Sequence, residues 1–299
     1  MSLRHSHPWW MAIALASLLL SGVSMFAQTP KAKKILVETD IEGVDGIYDF
    51  DLQCIPRKSP RWDESRKLLT DEINAAVNGL LEGGATDVTV LDTHTGSGIL
   101  SLLDLHPKAK LMVGFRSLPL SVAFDSSYSA LVFIGRHAMA GAEKGILAHT
   151  ESLDIRNMWI NGIPVGEFGN RVFLAAAFGT PTIMVSGDTA ACKEAETLVP
   201  GIECAEVKTG FNATSGIMLP HQAACDLIHE KARRAMERLP EFKPKQLSEP
   251  VELKIQLSHT LGSDDYRTLL SRGAEQLPDW TFVFRGKNFL EAWRKWRGL

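Results

Sequence analysis

Apolar and polar positions along the chain follow two different periods. Ile35-Leu36-Val37, Asp87–Leu91 (DVTVL), Ala130–Ile134 (ALVFI) and Thr182–Val185 (TIMV) are short β-branched or aliphatic runs of the kind that form buried strands. Between the first two, Leu68, Leu69, Ile73, Val77, Leu80 and Leu81 recur at helical spacing over Trp62–Leu81, and Gly83-Gly84 stops the pattern. The stretch Tyr48–Pro60 ahead of that helix is irregular, broken by Pro56 and Pro60. Arg171–Phe178, Ala190–Leu198 and His221–Leu239 read as further helices, and Asn161-Gly162 inside Trp159–Val165 suits a tight hairpin. Strand, helix, strand in that order is a βαβ unit, which implies parallel strands and a right-handed crossover. The expected fold is α/β, a mostly parallel central sheet flanked by helices in an αβα sandwich.

The Pro- and Lys-containing stretch Glu241–Pro250 (EFKPKQLSEP) is the best candidate boundary. Beyond it Val251–Leu257 alternates as a half-exposed strand. Tyr266–Arg272 and Asn288–Trp296 read as helices and Thr281–Phe284 as a strand. Residues 241–299 are therefore expected as a smaller C-terminal α+β portion for packing or oligomer contacts, and residues 28–240 as the α/β catalytic domain.

The N-terminus departs from both periods. Arg4 precedes an apolar stretch from Trp9 through Phe26, with the small residue Ala27 at a candidate cleavage point. Residues 1–27 are expected as a signal peptide, although Met25 breaks the small-x-small pattern. The alternative is an uncleaved anchor, for which the stretch is slightly short. The expected location is export, to a periplasm. A net charge of -3 and a pI near 6.3 give no electrostatic footprint for nucleic acid. Of the four cysteines, Cys192 and Cys204 are the nearest couple, and an exported chain can pair them or leave all four as buried thiols. No C-x-x-C signals a zinc knuckle or redox motif.

The chemistry sits at the strand ends. Asp40 and Glu42 in ETDIEG alternate with Ile41, so both carboxylates share one face just past the first strand. Taken alone, such a D-x-E is a solvated acidic loop. However, His94 follows the second strand and His137 follows the third, and parallel strands bring those ends into one crevice. Glu167, between Gly166 and Phe168-Gly169, opens the next helical stretch. Two imidazoles and three carboxylates without a thiolate suit zinc or a similar borderline ion. Five ligands exceed one tetrahedral site and fit two ions about 3.5–4 Å apart sharing a carboxylate, with a bridging water drawn toward hydroxide. His149 lies outside this set and is placed for proton transfer. His106, His221, His229 and His259 lack strand-end settings and read as structural.

ETDIEGVDG, the DTH of His94, the GRHA of His137, the AHT of His149, the GEFG of Glu167 and SGDTAACKEAE resemble, in order, the motifs of the DppA-type zinc-dependent D-aminopeptidases. The resemblance covers about Lys34 to Leu299. It implies a site of two zinc ions in which Asp40 bridges, Glu42 and His94 complete one ion, and His137 and Glu167 complete the other. It also implies that His149 is the catalytic residue, and that the protein is a ring-stacked homo-oligomer, decameric in the type case. The implied activity is release of N-terminal D-residues, notably D-Ala, from short peptides, which cell-wall turnover would supply to an exported enzyme. The family's G-E-x-G-x-N-A run is altered here: Arg171 stands at the Asn position, either to bind a substrate carboxylate or to cap the helix. Two other readings remain: a binuclear hydrolase of another amide or ester, which keeps the two metals, and a non-catalytic exported peptide- or metal-binding protein that retains the fold.

Overall fold

Strand β1 (Lys34–Thr39) buries its last five residues, because it is flanked on both sides and covered on both faces. The computed structural model describes residues 32–96, 98–114, 120–260 and 262–299, so the predicted signal peptide at 1–27 lies outside the described residues. From β1 the chain passes through a short helix α1 (Phe50–Gln53), capped by the Asp49 side chain, into the long helix α2 (Trp62–Glu82). It returns as β2 (Asp87–Asp92), parallel to β1 with Val37 opposite Val90 and Thr39 opposite Asp92. β3 (Ala109–Met112), β4 (Ala130–Arg136), β7 (Thr182–Asp188) and β8 (Glu203–Asn212) extend the parallel sheet. β9 (Ser215–Met218) closes it antiparallel, giving the order β3-β2-β1-β4-β7-β8-β9.

Alternation along the strands divides the core into two layers. Ile35, Val37, Val90, Val132 and Ile134 face α2 and helix α5 (His221–Glu237). Leu36, Leu91, Leu131, Phe133 and Val185 face the other way, against α3 (Glu167–Ala176), α4 (Thr189–Leu198) and a second sheet. This is why the central strands read as continuous apolar runs rather than as alternating ones. The fold is α/β, as expected.

The second sheet is antiparallel, in the order β11-β12-β10-β5-β6. Its members are β5 (Ile155–Ile160), β6 (Ile163–Pro164), β10 (Val251–Leu257), β11 (Glu275–Leu277) and β12 (Thr281–Gly286). The Asn161-Gly162 turn joins β5 to β6 with φ of 49° and 78°, the positive pair a tight hairpin requires. Residues 155–164 thus share a sheet with the segment after residue 240, and residues 32–299 form one compact unit. Helix α6 (Ser263–Ser271) and helix α7 (Phe289–Arg297) complete that end.

Strands β3, β8 and β9 of the central sheet and the short β11 of the second are not anticipated by the sequence reading. β8 alternates buried and partly exposed residues and has Gly210 inside it, which weakens a pattern-based assignment. Cys192 on α4 and Cys204 on β8 are joined in a disulfide, whereas Cys54 and Cys225 are free. Among the described residues no helix is long and apolar enough to cross a membrane.

Candidate metal centre

The register of three adjacent parallel strands sets the site. Thr39 lies opposite both Asp92 and Ile134, so the residues just beyond them emerge side by side. The Asp40 amide donates to the Ile134 carbonyl at 2.9 Å and the Gly43 amide to the Gly135 carbonyl at 2.8 Å, which stitches the two loops together. Glycine is required at both positions: a Cβ on Gly43 would stand 2.3 Å from the Arg136 carbonyl oxygen, and one on Gly135 would stand 2.2 Å from that of Asp40. Glu167 opens α3 with Gly166 as its cap, so the helix starts four residues before the predicted Arg171 and its N-terminal dipole faces the carboxylate.

All six residues singled out in the sequence meet here. Asp40, Glu42 and His94 form one group with ligand atoms within 4.8 Å of one another, and His137, His149 and Glu167 form a second. His94 Nδ1 is 3.1 Å from both Asp40 Oδ1 and Glu42 Oε2. His137 Nε2 lies 3.4 Å from Asp40 Oδ2 and 3.5 Å from Glu167 Oε1, so Asp40 reaches both groups. His149 stacks on His137 with ring centroids 3.9 Å apart, and its Nε2 is 3.5 Å from Glu167 Oε1.

The three imidazoles share one arrangement. His94 Nε2 is 2.8 Å from the Cys54 carbonyl, His137 Nδ1 is 2.9 Å from that of Ala138, and His149 Nδ1 is 2.9 Å from that of Leu147. Each carbonyl fixes the N–H on one ring nitrogen and leaves the other facing the carboxylates, as metal-ligating histidines are commonly oriented. Glu42 Oε2 and His137 Nε2 are buried and, beyond these close ring–carboxylate approaches, make no well-directed hydrogen bond. Orphaned polar atoms converging in a buried cluster are what a cation would satisfy, so the donor set fits zinc.

Charge in the cluster reinforces this. Burial opposes protonation of His94, but Glu42 and Asp40 outweigh it and hold the ring's pKa well above its ordinary value. His137 is likewise disfavoured by burial yet raised to about 9 by Glu167 and Asp40. Burial would raise Asp40, but Arg136 and the His94 contact hold it well below the usual carboxylate range. A divalent ion would take over the role these protons play.

Arg136, Glu38 and Glu151 are site residues that the sequence reading missed. The fully buried Arg136 guanidinium donates from Nη1 to Asp40 Oδ2 at 2.8 Å and Glu167 Oε2 at 2.7 Å, and from Nη2 to Glu38 Oε1 at 2.9 Å. Extending the alternation of Asp40 and Glu42 back by two residues would have found Glu38. Arg136 is signalled only by a cation at the end of a wholly apolar strand. Arg171 neither caps α3 nor is free for a ligand. It is buried, donates to Glu151 from Nη1 at 2.5 Å and Nη2 at 3.2 Å, and its Nε lies 3.4 Å from Glu38.

The two groups open on a cavity of about 670 Å³, whose wall includes Phe50, Thr93, Glu151, Leu153 and Arg297. A family model described as D-aminopeptidase, that of the M55 peptidases, matches residues 33–297. The chain belongs to this family. It is accordingly a hydrolase of the metallopeptidase class. Among curated proteins it is similar to the D-aminopeptidase of Bacillus subtilis (strain 168), 28% identical over 262 residues that cover 87% of this chain and 94% of the relative. Among solved structures it is similar to the Zn-dependent D-aminopeptidase DppA from Bacillus subtilis, described as a self-compartmentalizing protease. That likeness has a TM-score of 0.80 at 28% identity, covering 88% of this chain and 94% of that one.

Proposed function

We propose that this chain is an exported dizinc aminopeptidase that releases an N-terminal D-residue, D-Ala or another D-amino acid, from short peptides. The observation that carries the reading is the set of three histidines, each pinned by a backbone carbonyl and aimed into one carboxylate cluster. Asp40, Glu42 and His94 would hold one ion, and His137 and Glu167, with Asp40 also in reach, would hold the other. Zinc, when bound, supplies a Lewis acid for the scissile carbonyl and lowers the pKa of water.

The remaining chemistry belongs to the chain. With its Nδ1 turned to the Leu147 carbonyl, His149 directs Nε2 into the site, where it can take a proton from water and return it to the leaving amine. Arg136 holds the Asp40 and Glu167 carboxylates in place and offsets their repulsion. A second assignment makes His149 a ligand, because its Nε2 groups with His137 and Glu167. The N-terminal apolar stretch supports export, toward D-Ala peptides of cell-wall turnover, and the self-compartmentalizing relative supports a homo-oligomer, decameric by family resemblance.

The test is elemental analysis of protein purified without chelator, paired with amine release from D-Ala-D-Ala and L-Ala-L-Ala. Two zinc ions per chain and preferential cleavage of the D,D-dipeptide are expected. No ion and no amine release would leave a binding protein instead.

A further inference from the structure

Arg297 is the last residue of α7, and its place follows from how that helix is anchored and stopped. Trp293 and Trp296, almost fully buried, pin the helix against the core. Gly298 then ends it in the left-handed conformation, φ 74°, leaving Arg297 on the cavity wall. The guanidinium packs over both indole rings, 5.0 Å from the Trp296 centroid and 5.9 Å from that of Trp293, which limits its freedom before any ligand arrives.

Its charge is only loosely countered. Glu151 is the nearest carboxylate, 3.5 Å from Nη1, but that carboxylate is already held by both Arg171 nitrogens and by Asn170 Nδ2 at 2.7 Å. Among the described residues no hydrogen bond is made by the Arg297 guanidinium, which is 40% exposed. Arg171 is the other arginine on this wall, and Glu151 and Glu38 neutralise it. Of the acidic residues on the wall, Asp40, Glu42 and Glu167 belong to the proposed metal ligands, so away from the ions Arg297 is the cation of this cavity that the protein itself neutralises least.

The distance to the metal centre is short. The Glu151 amide donates to Glu167 Oε1 at 3.0 Å, so a single residue separates the Arg297 contact from a ligand carboxylate. Glu151 holds that bridge in a left-handed conformation, φ 60°, that costs a non-glycine residue energy and is kept by its arginine and asparagine partners. Two extended residues span roughly 7 Å. We infer that Arg297 binds the free C-terminal carboxylate of the substrate, which makes the enzyme selective for very short peptides with an unblocked C-terminus. The role that the sequence offered to Arg171 falls to Arg297.

This inference rests on the aminopeptidase reading, and the test separates the two. Steady-state kinetics with D-Ala-D-Ala and its C-terminal amide compare wild type with R297Q and R297K. Wild type should prefer the acid. R297Q should lower that preference by about 10- to 100-fold, as expected for one charge-assisted contact, through KM and not kcat. R297K, which keeps a point charge, should recover part of it. An equal effect on both substrates, or none on the acid, would overturn the inference while leaving the peptidase reading intact. Calorimetric titration of the same two compounds into His149→Ala and His149→Ala/R297Q protein reads the carboxylate contact without turnover. Undiminished affinity for the acid in the double variant would also overturn it. Failure of wild type to cleave either compound would count against the peptidase reading alone.

Discussion

The Nζ of Lys208 donates to the backbone carbonyl of Glu42 at 2.6 Å, across 166 positions of sequence. The same ammonium donates to the carbonyls of Val44 at 2.8 Å and Ile47 at 2.7 Å. It is fully buried, and burial lowers its pKa to about 8 against the pull of Asp188 and Glu72. One side chain from β8 therefore shapes the turn that presents Glu42. Lys208→Met should leave three carbonyls without their donor and cost about 2–4 kcal/mol, less than three charged hydrogen bonds because the buried charge goes too. Urea denaturation reads the loss, and elemental analysis should show less bound metal.

The histidines should separate by role. His94→Ala removes a nitrogen 3.1 Å from both Asp40 and Glu42 and should lower metal content. His149→Ala should abolish turnover with metal content unchanged. If the His149 variant loses metal as well, the assignment of that residue as a ligand is the correct one.

Chelation should soften the protein without unfolding it. Arg136 bridges Asp40 and Glu167, so two of the carboxylates are tied to the fold by a cation of the protein itself. An ion present at a thousand times its dissociation constant adds about 4 kcal/mol of stability. For a chain of this size its removal should lower the melting temperature by about 10 °C, and added zinc should restore it. An identical melting curve with and without chelator would mean that no ion binds the folded state.

Acid should act through Glu203, the first residue of β8. Its buried carboxylate accepts from Lys231 at 3.1 Å and from Arg238, with Arg234 at 3.3 Å. Burial would raise its pKa, but these three cations lower it below the ordinary value of 4.5. A carboxylate with a depressed folded-state pKa contributes stability above its unfolded-state pKa and loses it as pH falls through the folded one. Glu203→Gln should therefore cost about 1–2 kcal/mol at pH 7, reduced by the exposure of the partner cations, and much less at pH 3. Denaturation midpoints at the two pH values check this.

Each sequence signal that could be read had a local cause. Asp40, Glu42, His94 and His137 could be gathered in advance because a βαβ unit forces strands parallel, so residues just past two strand ends must be neighbours. The Asn161-Gly162 hairpin was legible for a similar reason, since its dihedral angles belong to those two residues. Arg171 was legible as unusual but not in its role. Only the arrival of Glu151 and Glu38 shows that its charge is already spent within the protein.

By itself the sequence determined four strands of the central sheet, β1, β2, β4 and β7, their direction and the candidate ligands at their ends, because periodicity and strand polarity act over a few residues at a time. The tertiary structure alone decided that β5, nearly a hundred residues before β10, pairs with it. It also decided that Lys208 holds the Glu42 turn, that Arg136 lies under the carboxylates, and that Arg297 reaches their cavity from the end of the chain. Those contacts join segments with no local pattern in common, and they are selected by the energy of burying a charge with or without a partner, which a sequence does not display until the chain has folded.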